Sequence, residues 1–363
     1  MLKILDRYFL SRYLGTFFFI LLLFAMLAIV VDLSQKLEDF TAKDGPTLAQ
    51  TVMMYYANFV PYIIGLLIPI YTLITVIFFT SRMAAQSEII AMTGNGINFY
   101  RLLWPYFLGA MIISTLHFFG NHYLFPQANK VRVDFENTYI WKHNFDSPSD
   151  NIHLFTSRSE EIYVQHFNRR DSTGRNFMLS RYDSSGVRRP YILQAKRLEF
   201  LGQENRWRLR DCFIRETEGM TERVRKVPQI DTTLLLKTTD LVRRDNLKEA
   251  MTSPELGQFI ADEYRKGSGA MRNFEIEYHR RSADAFTNLI LTLIGFSVAS
   301  RKVRGGMGWN LVVGILIGAV YVFMSKFSAV FATNGGLNPS VAVWIPNLLF
   351  SVIGVFLLFR AQK

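Results

Sequence analysis

Six stretches of this chain are too long and too uniformly apolar for water, and they fix its class before any motif is considered. Tyr13 to Val31 carries no charge, and neither does Tyr55 to Thr80, while Leu102 to Phe125 carries only His117 and His122. After a long polar stretch the pattern returns in Ala285 to Ser300, the shortest, then in Met307 to Ser325 and in Ser340 to Phe359. About 20 apolar residues in a helix cross a hydrocarbon core roughly 30 Å thick, so these read as six membrane spans. The averages conceal them: 363 residues that are 50% hydrophobic and 20% charged are two populations of sequence mixed together.

Lys3, Arg7 and Arg12 precede the first span, as basic residues precede a secretory signal. Its apolar run exceeds the usual length of about 15 residues, and no small-x-small cleavage pattern precedes Asp32, so it reads as a retained helix. Basic residues in the short loops set the orientation. Lys3, Arg7, Arg12, Arg82, Arg101, Arg301, Lys302, Arg304, Arg360 and Lys363 fall on one side, against Lys36 and Lys43 on the other. The positive-inside rule then predicts that both termini are cytoplasmic and that the block between the third and fourth spans is exported. The net charge of +11 comes largely from that block and from the loops, and it carries no implication of nucleic acid. Cys212 is the sole cysteine, which excludes an intrachain disulfide and reads as a small buried apolar residue.

The predicted organisation is an α-helical membrane protein with an inserted all-β domain, three helices on each side. Residues 1–128 hold the first three spans, with a short helix in the loop near 82–96; 129–245 form the β domain, 246–282 an amphipathic connector, and 283–363 the last three spans. In the inserted block, short strand-like runs alternate with turn signals such as Asp171-Ser-Thr-Gly174, Asp183-Ser-Ser-Gly186 and Gly202-Gln-Glu-Asn205. Trp207 and Leu209 alternate with Arg206, Arg208 and Arg210, as a strand with one wet face requires. Such spacing suggests a sandwich, a jellyroll or a related antiparallel fold. The arginine row is either a solvated face or a grip for an anion. In the connector, Ser253 reads as an N-cap with Pro254 in the first helical position.

Chemistry of the usual kinds is missing. The sequence holds no P-loop, no H-E-x-x-H and no G-x-S-x-G, and its six histidines are scattered, so no catalytic residue, metal ligand or cofactor is predicted. Ionisable groups inside spans are costly and become candidates instead. Lys326 follows the fifth uncharged run yet precedes Phe327 to Phe331, so it either snorkels or faces a polar cavity as a cation for an anionic head group. Arg280, Arg281 and Asp284 flank the fourth span, and His117, Asn121 and His122 fit hydrogen bonding between helices. Ser87 to Met92 makes a short helix ended by Gly94 and Gly96, with Ile89, Ile90 and Met92 free to meet a cytoplasmic partner.

Five segments in this order resemble the paired LptF/LptG permease subunits of the lipopolysaccharide export ABC transporter. They are Leu5-Asp-Arg-Tyr8, Gln86-Ser-Glu-Ile-Ile-Ala-Met-Thr-Gly94, Glu277-Tyr-His-Arg-Arg281, Arg304-Gly-Gly306, and Leu337-Asn-Pro-Ser-Val-Ala-Val-Trp-Ile-Pro-Asn347. The start leans toward LptG, whereas Asn334-Gly-Gly-Leu337 is reminiscent of LptF. The resemblance implies a paralogous permease partner and a separate dimeric, LptB-like ATPase. It further implies a periplasmic β-jellyroll feeding LptC/LptA-like bridge proteins, and lipopolysaccharide as cargo taken from the membrane. It places Glu88 at the family's coupling-helix glutamate, with Ser87, Met92 and Gly94 shaping that helix. For the lipid's phosphates it suggests Lys36, Lys43 and Lys326, although here Asp32 comes before the first of them. Rival readings are a membrane-anchored envelope-modifying enzyme, for which Glu160 and Glu161 are the nearest carboxylates, and a periplasmic scaffold.

Overall fold

A computed structural model describes residues 3–43, 45–140, 149–157, 159–168, 171–183, 189–202, 205–234, 236, 241, 247–266, 272–301, 306–334 and 336–361. The predicted turn residues 184–186 and 203–204, and Arg304 and Gly305 of the fourth matching segment, lie outside them. Among the described residues six helices are long and apolar enough to span a membrane. They are α1 (Ile4–Thr41), α2 (Leu48–Ala85), α4 (Phe99–Tyr139), α7 (Arg272–Ala299), α8 (Gly306–Thr333) and α9 (Pro339–Ala361). The helix α3 (Glu88–Gly94) lies in the loop between α2 and α4, and α5 (Leu247–Ala250) and α6 (Ser253–Lys266) precede α7. Between the two sets of spans run strands β1 (Ser149–Ser157), β2 (Glu160–Asn168), β3 (Thr173–Arg181), β4 (Tyr191–Phe200), β5 (Arg206–Glu218) and β6 (Thr221–Thr233). The class read from the sequence, helices in three and three around an all-β insert, is the class observed.

Several helices outrun their apolar cores. α4 continues through Lys130, Arg132, Asp134 and Glu136 to Tyr139, so the sheet begins at Ser149 rather than near 129. α7 starts at Arg272, well before the uncharged run at Ala285. Hydropathy reports where lipid lies, whereas the backbone ladder continues wherever the chain has helix formers and no breaker. α2 and α4 each contain a π-helical turn, at Thr51–Tyr56 and at Gly120–Leu124.

The chain forms two compact units: Met1–Phe135, Lys248–Leu256 and Arg272–Lys363 make one, and Glu136–Leu247 with Gly257–Met271 the other. In the helical unit α7 is central and packs on α2, α4, α8 and α9, whereas α1 rests on α2 and α4. Phe9, Tyr13 and Phe17 of α1 meet Tyr71 and Phe79 of α2, Tyr106 of α4 and Phe296 of α7. A second cluster joins Leu73 and Ile77 of α2 to Leu291 and Ile294 of α7, Tyr321 of α8 and Phe350 of α9. Lipid supplies no hydrophobic drive between helices, so close approach decides the packing. A Cβ at Gly314 would collide with Ile77, and one at Gly109 with the Tyr13 ring.

The sheet unit is a six-stranded antiparallel meander in the order β1-β2-β3-β4-β5-β6. Ile162, Val164, Phe177, Leu179, Leu193, Trp207 and Leu209 alternate onto its buried face, with Cys212 fully buried beside them. Burial raises the Cys212 thiol pKa, which keeps it a thiol. The opposite face takes the arginines, where Arg208 pairs with Asp231 at 2.8 Å and Arg210 with Glu199 at 3.0 Å. That row is the solvated face of the two readings. The pairing also skips one level in every ladder, that of Asn151, Gln165, Asn176, Lys196, Asp211 and Pro228. Asn151, Asn176 and Asp211 there have φ of 52°, 53° and 53°, and asparagine and aspartate tolerate this left-handed region best after glycine. Pro228 has no N–H to lose. The register is the same on both sides of each interruption, so the skipped positions line up across the sheet.

Candidate functional site

α3 is built to present one face and bury the other. Its entry is Ser87, whose φ of 59° turns the chain sharply out of α2. Ile89 is 5% exposed and belongs to the same apolar cluster as the Phe296 ring, and Met92, Leu5, Ile97 and Phe99 pack against that cluster. Gly94 is the last helical residue, and Gly96, at φ 82°, reverses the chain while Ile97 N–H donates to the Met92 carbonyl at 3.1 Å. Ile89 and Met92 therefore hold the helix down, and of the three apolar residues expected to be available only Ile90 stands exposed. Beside it is the half-buried Glu88, whose carboxylate has no hydrogen bond or ion pair among the described residues. The floor under α3 is itself tied: Arg101 of α4 meets Asp6 of α1 at 2.6 Å, a pair the sequence did not disclose because its members lie far apart in the chain.

The three lysines proposed from sequence are not brought together. Lys36 Nζ lies 2.9 Å from Asp32 Oδ1 one helical turn earlier and also donates to the Tyr55 hydroxyl. Tyr55 in turn donates to Asp32 Oδ1 at 3.0 Å, while Asp32 Oδ2 is buried without a hydrogen bond. Spacing i to i+4 makes the ion pair legible in the sequence, but Tyr55 comes from α2. Lys36 thus fastens α1 to α2. Lys36→Met should strand the Asp32 carboxylate and cost about 3 kcal/mol, whereas Asp32→Asn together with Lys36→Met should restore most of it. Thermal denaturation of the detergent-solubilised protein measures both. Lys43, just past α1, and Lys326, on α8, are exposed.

A family model for the lipopolysaccharide export system permease LptF/LptG matches residues 7–360. The chain belongs to this family. It is a permease of lipopolysaccharide export, a multi-pass protein of the inner membrane, and a transport subunit rather than an enzyme. A comparison with curated proteins finds no match.

In this LptF/LptG chain the segment Glu277 to Arg281 anchors a buried polar cluster. The Arg281 side chain is 4% exposed, and its guanidinium donates to Glu277 Oε1 at 3.3 Å, Ser253 Oγ at 3.0 Å, and the Lys248 and Met251 carbonyls at 3.0 and 2.8 Å. Ser253 Oγ also meets His122 Nδ1 at 2.6 Å. Its hydroxyl is therefore spent on these two, and α6 is capped one residue earlier than the sequence suggests: Thr252 N–H donates to Glu255 Oε2 at 2.8 Å, and its carbonyl accepts from Leu256 N–H. That bond holds the Glu255 carboxyl below its usual pKa. Arg280 binds Glu277 Oε2 at 2.7 Å, and Arg280, Asp284, Glu249 and Tyr62 border a small cavity of about 60 Å³. Deeper in, Asn288 Nδ2 bonds His117 Nδ1 at 3.0 Å, and Asn347, Tyr321 and Thr287 close a second triangle joining α7, α8 and α9. These histidines and asparagines fasten helices together.

The carboxylates nearest to an enzyme-like pair are spoken for separately. Glu160 meets Arg181 at 2.9 Å, while Glu161 accepts from Tyr182 at 2.5 Å and sits 3.1 Å from His153 Nδ1. Burial pushes the Glu161 carboxyl up, but the bonds from Tyr182 and His153 and the charge of Arg189 outweigh it and hold its pKa below the usual range. A carboxylate kept ionised and held by three partners is a structural acceptor. Among the described residues no group of three His, Cys, Asp or Glu is placed to hold a metal ion.

Proposed function

We propose that this subunit extracts lipopolysaccharide from the inner membrane under the drive of a separate dimeric, LptB-like ATPase docked on α3, beside a paralogous permease. In this reading both termini and α3 are cytoplasmic. The sheet is the periplasmic jellyroll that hands the lipid to LptC/LptA-like bridge proteins toward the outer membrane. The observation that carries it is Glu88: a carboxylate with no ion pair among the described residues, on a helix whose other face belongs to the aromatic core of α1, α2, α4 and α7. A cationic residue on the ATPase would find a rigid lever there, and motion of the lever would move the spans with it. Work is needed because each acyl methylene drawn out of a bilayer forfeits about 0.8 kcal/mol, and a partner's ATP hydrolysis supplies it.

Lys43 and Lys326, exposed near helix ends, are the readier contacts for the lipid's phosphates, and Lys36 joins them once a phosphate displaces Asp32. The reading is tested by photo-crosslinkers at Val227 and Ile230, half-buried residues of β6 packed against the sheet's apolar cluster. In the reconstituted complex they should capture lipopolysaccharide when ATP is present and only at background without it. Equal capture in both conditions would favour the scaffold reading.

A further inference from the structure

The groove between α1 and α2 has been given no role so far. It holds about 450 Å³ and is bordered by Arg12, Gly15, Thr16 and Phe19 of α1 and by Phe78 and Arg82 of α2. The α1 residues follow the i, i+3, i+4, i+7 spacing of one helix face. Arg12 and Arg82 are exposed, and among the described residues neither makes an ion pair; Arg12 lies over the Tyr8 ring at 4.6 Å. Phe19 is 65% exposed, and a Cβ built on Gly15 would meet nothing within 4 Å, so this stretch of α1 is open to whatever lies beside it.

We propose that this groove binds an anionic phospholipid of the surrounding bilayer, its phosphate between Arg12 and Arg82 and one acyl chain along Gly15, Phe19 and Phe78. Two exposed guanidinium groups at the span end read as cytoplasmic favour an anionic counter-charge. Thr16 does not supply it: its hydroxyl donates to the Arg12 carbonyl at 2.8 Å. A phosphodiester offers paired acceptors that match a guanidinium fork, and basic pockets between spans bind anionic head groups by this chemistry. The apolar wall then takes the chain that the same molecule carries. A protein carboxylate would satisfy the arginines but would leave the phenylalanine-lined part of the groove unfilled. The seat lies next to α3, since Arg82 is on the last turn of α2 and its carbonyl accepts from Gln86 N–H at 3.1 Å.

Native mass spectrometry of the full-length protein, purified with its bound partners and titrated with dioleoylphosphatidylglycerol or dioleoylphosphatidylcholine, tests the assignment. The wild type should retain phosphatidylglycerol in preference to phosphatidylcholine. Arg12→Gln with Arg82→Gln should weaken that retention roughly thirtyfold, from about 1 kcal/mol for each cation. Arg12→Lys with Arg82→Lys should keep most of it. Gly15→Trp leaves both charges in place, puts its Cβ where no protein atom lies within 4 Å, and should occupy the groove and abolish the preference. The proposal is overturned if Gly15→Trp binds phosphatidylglycerol as the wild type does, if the two lipids are retained alike, or if a photo-crosslinker at residue 15 captures a partner chain instead of phospholipid in native membranes. None of these outcomes depends on ATP-driven transport, so they are separate from the fate of the coupling assignment.

Discussion

Glu88→Arg should leave the protein folded and inserted at normal levels and cut lipopolysaccharide export by at least about thirtyfold, from a loss of roughly 2–5 kcal/mol at a buried charge contact. The two halves of this expectation have separate causes. Folding survives because the Glu88 carboxylate makes no hydrogen bond or ion pair among the described residues, while Ile89 and Met92 keep the helix seated. Export fails because the reversed charge faces the cation that the ATPase is proposed to present. Glu88→Ala should give a smaller loss, having removed the attraction without adding repulsion. In vesicles containing the whole complex, ATP hydrolysis should continue while lipid release stops, and reversing the partner's cation should restore release to the Glu88→Arg variant. Transport at the wild-type rate in both Glu88 variants would show that the drive enters elsewhere.

Arg281→Ala should be the most damaging change to stability, by about 3–5 kcal/mol, because it takes one of two guanidinium partners from the buried Glu277 and leaves two backbone carbonyls without their donor at once. For a membrane unit of this size that is a thermal midpoint lower by roughly 10 °C, read by denaturation in detergent. Arg281→Lys should recover only part of the loss, since one ammonium cannot reproduce the planar fork that reaches Glu277, Ser253, Lys248 and Met251 together. Arg280→Ala, which removes a half-buried partner from the same Glu277, should cost less. Unchanged melting of Arg281→Ala would mean that the cluster, however well bonded, adds no net stability.

The sequence disclosed features that repeat with a short period. Six uncharged runs became six spanning helices, and the alternation of Trp207 and Leu209 with arginines became a buried face and a wet one. It also disclosed the Asp32–Lys36 neighbourhood, because four residues are one turn. What stayed hidden was whatever depended on a partner distant in the chain. Nothing in the letters shows that Tyr55 completes the Lys36 pair, that Arg101 fastens Asp6, or that Ser253 is claimed by His122 and Arg281 and so leaves the cap to Thr252. The helical reach of α4 to Tyr139 was invisible for another reason: its last turns are polar, and a hydropathy scan sees lipid rather than helix. Glu88 was singled out by resemblance alone, and its coupling role is a proposal; what the fold adds is that its carboxylate has no ion pair among the described residues.

The aligned left-handed residues Asn151, Asn176 and Asp211 have a joint consequence for the β domain. A regular ladder resists bending everywhere along its length, but here every strand has given up its pairing at the same height. The sheet therefore consists of two fully paired panels that meet along one line where no cross-strand pair is made.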